Sequence, residues 1–157
     1  MEALIKEAQL DELHIVHDVM CKAFEEYRGK LIPPSGALSE SVDDIIKKIS
    51  KTGGAIIAQV DGIPIGSAHF VFRENYVYIG RVAVLPSLRG WGIGKKLVKY
   101  IENYARNRGI CEARLEVRLS IPSNVAFYKK LNYEIIEKHA YPEETDYWYI
   151  MKSTLPN

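Results

Sequence analysis

The 157-residue sequence has only two cysteines, Cys21 and Cys111, and they stand far apart. It has no CxxC pair, so neither a dithiol redox centre nor a cysteine-built metal site is expected. It also lacks a surplus of charge. Lys plus Arg total 21 against 20 for Asp plus Glu, a net charge of +1. Without a broad basic field it has no means to grip a nucleic-acid backbone. No apolar run approaches the roughly 20 residues of a membrane-spanning helix, so no membrane partner is expected. The opening Met1-Glu2-Ala3-Leu4-Ile5-Lys6-Glu7 is acidic and has no long apolar stretch. It does not read as a signal peptide, and the expected setting is the reducing cytoplasm with both thiols free and buried.

The composition is that of a packed domain. Apolar residues make up 47% of the chain and charged residues 26%. With no repeat, linker or low-complexity tract, residues 1–157 read as one domain.

Periodicity and turn residues give an element order of βααβββαβαββ. A short strand over Leu4–Ala8 precedes a helix in which Asp11 is the expected N-cap. Leu13, Val16, Met20, Phe24 and Tyr27 form its apolar face, and Gly29 stops it. Pro33-Pro34-Ser35-Gly36 is loop chemistry. Ser39 or Ser41 caps a second helix with Val42, Ile45, Ile46 and Ile49 on one face. Strands over 55–60, 63–72 and 76–85 follow, joined by Asp61-Gly62 and Glu74-Asn75, as an antiparallel meander. A long helix then runs to about Arg108, and a strand covers 113–117. The strand–helix–strand crossover implies one parallel pairing. Ser123 is the expected cap of a short helix. Strands at 133–138 and 147–151 close the chain as an antiparallel pair. The class is α/β with a mixed, mostly antiparallel sheet and helices on both faces.

The informative stretch is Arg89-Gly90-Trp91-Gly92-Ile93-Gly94-Lys95, where a strand ends and the long helix begins. Free amides at a helix start favour an anion. The glycines let the backbone approach it, and Arg89 and Lys95 add charge. A dinucleotide fingerprint fails because Lys95 stands where glycine is needed and an antiparallel meander precedes the loop. A P-loop fails because Arg89 and Lys96 replace its first glycine and its hydroxyl residue.

Val82-Ala83-Val84-Leu85-Pro86 followed by this loop resembles the signature of the GCN5-related N-acetyltransferase superfamily. Asn124-Val125-Ala126-Phe127-Tyr128-Lys129-Lys130-Leu131-Asn132-Tyr133 resembles that family's second segment. Asn132 replaces the usual glycine, and asparagine tolerates the same left-handed turn. The resemblance covers nearly the whole chain. It implies a single-domain fold of this family with a splayed parallel strand pair, and acetyl-coenzyme A as acetyl donor. It further implies that the main chain of Val82 and Val84 aligns the pantetheine arm. The amides of Arg89, Gly90, Trp91, Gly92, Ile93, Gly94 and Lys95 hold the pyrophosphate, and Asn124 bonds the amide arm. Tyr128 becomes the general acid. Each has a plainer reading: strand core for the valines, a first-turn cap for Asn124, and an amphipathic aromatic for Tyr128.

Leu115-Glu116-Val117-Arg118 resembles the strand of ribosomal-protein N-terminal acetyltransferases, which makes Glu116 the general base, directly or through water. The alternative is a strand carboxylate paired with Arg114 or Arg118. The implied reaction is direct transfer of acetyl to a primary amine in a ternary complex. The acceptor is an amine-bearing small molecule or a peptide N-terminus, lying against residues 31–38 and 141–149. A homodimer is common in the family. The rival function is a sensor that binds acyl-coenzyme A without turnover. No metal is expected. His14 and His17 read as a solvated helix face, His69 as a satisfied structural histidine. Cys111, at the start of a buried strand, reads as inert.

Overall fold

The computed structural model describes residues 2–156. Its strands are β1 (Leu4–Glu7), β2 (Gly53–Val60), β3 (Ile63–Phe72), β4 (Val77–Val84), β5 (Glu112–Arg118), β6 (Glu134–Ala140) and β7 (Tyr147–Thr154). Its helices are α1 (Leu13–Phe24), α2 (Val42–Ile49), α3 (Ile93–Arg106) and α4 (Pro122–Lys130). They build one seven-stranded sheet in the order β1-β2-β3-β4-β5-β7-β6. All pairings are antiparallel except β4 with β5.

Alternation along β2 makes the layers. Ala55 and Ile57 join Leu13, Val16 and Met20 of α1 and Ile45 of α2 on one face. Ile56 and Ala58 join Ile93, Leu97, Val98, Ile101 and Ala105 of α3 on the other. A strand buried on both faces carries an unbroken apolar run for that reason. Each fully buried side chain of the α3 stripe contributes roughly 2 kcal/mol.

The turns follow local chemistry. Asp61 and Gly62, at φ 51° and 77°, make the β2–β3 turn that needs two positive-φ residues. Asn132 sits at φ 70°, the conformation expected of it. Ser41, the second of the two expected caps, accepts from the Asp44 N–H at 3.1 Å, and Asp44 accepts from the Ser41 N–H at 2.8 Å.

Three local expectations give way. Asp11 does not cap α1. A 3-10 turn over Leu10–Glu12 leads into the helix, and Glu12 reaches back to the Gln9 N–H at 3.0 Å. Ser123 does not cap α4, because Pro122 supplies the first helical residue and needs no partner for an N–H it lacks. Cys111 is exposed just before β5 and Cys21 is half-buried, so neither is the buried thiol expected.

One buried polar contact fastens α3 to the turn after α4. The Tyr133 hydroxyl donates to Glu102 at 2.6 Å, and Lys99 donates to the other carboxylate oxygen at 3.1 Å. Glu102 is fully buried, so losing a donor leaves an oxygen without its partner. Tyr133→Phe is expected to destabilise the fold by about 1–3 kcal/mol in urea unfolding. An unchanged midpoint would show that this contact does not hold the two segments together.

Candidate active site

The site begins as a fault in the sheet. Ser67 of β3 faces Ala83 of β4, but His69 faces Gly80, so β4 carries one residue more than β3 across this step. Such a bulge bends and twists its strand. Arg81 takes the strained turn at φ 51°. Gly80 has no side chain because a Cβ there would lie 2.6 Å from the His69 ring. On its other edge β4 pairs with β5 only through Val77↔Ala113 and Tyr78↔Arg114. Beyond Tyr78 the two parallel strands part, and a cleft opens between them.

Two cavities fill that cleft. The first, about 430 Å³, is lined by Val82, Ala83 and Val84, by Gly90, Gly92, Ile93, Gly94 and Lys95, and by Asn124, Phe127 and Tyr128. Gly90 and Gly92 take φ 87° and 79°, a region open to glycine and strained for other residues. The Lys96 N–H makes a ladder bond to the Gly92 carbonyl at 3.1 Å, and the amides before it have no intrahelical acceptor. Gly94 brings the helix start against Phe127, 3.3 Å from where a Cβ would stand. Trp91 is exposed and is not part of this lining.

Arg89 is engaged differently from the sequence expectation. Its guanidinium bonds Glu26 at 2.6 Å, the Ala23 carbonyl at 3.1 Å and the Val84 carbonyl at 3.2 Å. It straps the end of α1 to β4 instead of reaching toward an anion. The Val84 carbonyl is thereby occupied, whereas Val82 has no such side-chain partner.

The second cavity, about 310 Å³, is lined by Lys48, His69, Tyr78, Arg81, Glu116 and Arg118, with Leu31, Pro34, Ser35, Gly36, Tyr141 and Trp148 as its outer wall. Both cavities share Phe24, Val82, Asn124 and Tyr128. These are the residues at which a donor and an acceptor can meet. Tyr128 is 8% exposed. Burial, then the nearby Tyr78 hydroxyl, pushes its phenol well above the usual range, so it holds its proton at neutral pH. Glu116 is exposed into the cavity. The expected alternative partners are taken elsewhere: Arg114 pairs with Glu112 and Arg118 with Asp146. Among the described residues the Glu116 carboxylate has no hydrogen-bond or ion-pair partner. The Asn124 side chain likewise makes no cap on α4.

Arg118 is the anchor of the outer wall, and it was legible only as a neighbour of Glu116. It donates to Asp146 at 2.5 Å and to the Pro33 carbonyl at 2.5 Å, and lies over the Tyr141 ring at 4.5 Å. Ser120 also donates to Asp146, at 2.5 Å. Burial alone would raise the Asp146 carboxyl. The bonds from Arg118, Ser120 and the Tyr147 N–H outweigh it and hold the carboxyl below its ordinary value. Thus residues 31–38 and 141–149 are fixed around the cavity.

Acetyltransferase (GNAT) family is the description of the sequence family whose profile matches residues 17–133. The chain belongs to this family. Among its relatives is the probable N-acetyltransferase family 8 member 5 of Mus musculus, 23% identical over 59% of this chain; the match spans 40% of the mouse protein's length. A ribosomal-protein-alanine N-acetyltransferase from Escherichia coli superposes with a TM-score of 0.80 at 16% identity, over 99% of this chain and 96% of that one. The PaiA N-acetyltransferase of Thermoplasma acidophilum, in complex with coenzyme A, gives 0.80 at 19% identity, over 98% and 99%. At these identities the likeness is one of fold.

The donor of this family is acetyl-coenzyme A, and the larger cavity fits such a group. It has a helix start with free amides for a diphosphate and an opened strand edge for an extended arm. No helix among the described residues is long and apolar enough to cross a membrane.

His69 departs from its sequence reading. It is 2% exposed, its Nδ1 is buried without a partner, and it lines the smaller cavity. His17, by contrast, has a structural partner, the Glu40 carbonyl, at 2.8 Å. Burial pulls the His69 imidazole down to about 4, Lys48 and Arg81 add to the fall, and Glu40 opposes it. A folded value below the unfolded one favours the neutral ring. That contribution is whole above pH 6.5 and is lost as pH falls toward about 4. Between pH 7 and pH 5 it is expected to cost the fold about 2 kcal/mol. Urea unfolding of the parent and of His69→Gln at both pH values checks this. Equal losses in the two proteins would clear His69 as the source.

Proposed function

We propose that this protein transfers acetyl directly from acetyl-coenzyme A to a primary amine held in the smaller cavity, with both reactants bound together. The observation that carries the reading is the junction of the two cavities at Val82, Asn124 and Tyr128, beside a helix start with free amides. Residues 1–157 are taken as one acetyltransferase domain.

The roles follow from position and chemistry. The amides of residues 90–95 receive the pyrophosphate, with Lys95 adding charge, while Arg89, whose N–H donates to the Pro86 carbonyl at 3.3 Å, braces β4. The main chain of Val82 aligns the pantetheine arm, and Val84 does so through its N–H, its carbonyl being engaged by Arg89. Asn124 hydrogen-bonds the amide arm. A backbone N–H near Val82 steadies the charge growing on the thioester oxygen. Glu116 accepts the amine proton, directly or through one water, as nitrogen bonds to the carbonyl carbon. The carbon–sulfur bond breaks, and Tyr128 donates to the departing sulfur. The products are the amide and the free thiol. Either a small molecule or a peptide N-terminus satisfies this chemistry.

Acetyl-coenzyme A should raise the melting temperature of the protein. A panel of amines and peptides should include acceptors that release thiol. Tight donor binding with no thiol from any acceptor would support a sensor instead. Tyr128→Phe is expected to lower turnover about 100-fold while leaving donor affinity nearly intact, and Glu116→Gln to do the same. Unchanged turnover removes the substituted residue from the mechanism.

A further inference from the structure

Three cationic side chains, Lys48, Arg81 and Arg118, line the acceptor end of the cleft, and two of them share one carboxylate. Lys48 and Arg81 both donate to the same oxygen of Glu40, Arg81 at 3.2 Å. Glu40 is 7% exposed and does not line the cavity, whereas Lys48 and Arg81 do. The carboxylate therefore sits behind and its two cations in front. Within this group two positive charges against one negative leave an excess of one positive charge, local to Lys48 and Arg81. Among the described residues Arg81 makes no other side-chain bond, so most of its guanidinium donors remain available. Arg118 does not add to the excess, because Asp146 neutralises it.

His69 supplies the second observation. It is almost fully buried and lines the same cavity as these cations, and its Nδ1 has no partner among the described residues. Lys48, His69, Tyr78 and Glu116 also line an adjoining cavity of about 320 Å³, to which Arg73 contributes. Neither Lys48 nor Arg81 lines the donor cavity. Thus the smaller cavity has a Tyr128 end, shared with the donor, and a cationic end at Lys48 and Arg81. Among the described residues Glu116 is the one acidic side chain lining it, and the transferase reading sets the amine beside that carboxylate.

We propose that the cationic end is a specificity subsite for an anionic group. The acceptor is then a small amine that also carries a carboxylate or a phosphate. This rests on the transferase reading above. A cavity of about 310 Å³ accommodates a molecule of amino-acid size. The amine lies toward Glu116 and Tyr128, and the anion pairs with Lys48 and Arg81, donors of charge-assisted hydrogen bonds.

Matched probes test it. The full chain, saturated with coenzyme A, is titrated calorimetrically with 4-aminobutanoate and n-butylamine, and with phosphoethanolamine and ethanolamine. The acidic member of at least one pair is expected to bind about tenfold more tightly, the size of one charge-assisted bond. Which pair responds identifies the anion. Lys48 is 43% exposed, so Lys48→Gln should fold. It should shrink the preference to about threefold or less and leave neutral-amine affinity and the coenzyme A melting shift unchanged. Equal binding within both pairs overturns the proposal, as does an unaltered preference in Lys48→Gln. Thiol release separates the two readings. Binding of acidic amines without release leaves the subsite standing and sinks the transferase. Release from all amines without acidic preference does the reverse.

Discussion

An extra residue in β4 cannot be matched by β3, and the strand must absorb it between Gly80 and Val82. The ladder turns there, Arg81 enters the left-handed region, and the parallel pairing with β5 ends at Tyr78. A backbone conformation of this kind costs about 1–3 kcal/mol unless its surroundings impose it. Here Glu40 draws the Arg81 side chain across, and the absence of a Cβ at Gly80 admits the His69 ring. Each cavity takes one wall from the edge this bulge exposes. Without it β4 and β5 would zip along their length, and neither a donor arm nor an acceptor would find an opened main chain.

Polar side chains then turn long connections into walls. Arg118 ties residues 31–38 and 141–147 to β5, and Arg89 ties the end of α1 to β4. Buried pairs of this sort add little net stability, because desolvation cancels much of the attraction. Their value here is placement. Asp146 accepts three bonds at once, which leaves the segment before β7 little freedom to move away from the cavity.

The regular elements were legible because local pattern dictates them. The apolar stripe of α3, the Asp61-Gly62 turn and the capping box at Ser41 each follow from neighbours in the chain. The splay was legible only through resemblance. Its cause, the bulge, has one signal in the sequence, the glycine inside a strand at Gly80. The engagement of Arg89 with Glu26 joins residues 63 positions apart, and that of Arg118 with Pro33 joins residues 85 apart. No local pattern encodes such partners. The misplaced caps at Asp11 and Ser123 were local errors: a 3-10 turn and a proline each took the position first.

The contrast between donor and acceptor has the same origin. Backbone amides suit a diphosphate, so the proposed donor site appears in sequence as glycines that free the backbone, gathered within residues 89–95. The smaller cavity is instead lined by side chains, from the end of α2, from β3, β4 and β5, and from the segment before β7. Each of these residues has an ordinary reading on its own: Lys48 as a surface lysine, Arg81 as a strand arginine, Glu40 as a loop acid. Only when the fold sets two cations before one buried carboxylate does an unbalanced charge emerge. Recognition by main chain is compact in sequence and survives as a motif. Recognition by side chains is assembled in space, so any preference among acceptors has to be sought in where charges stand along the cavity wall.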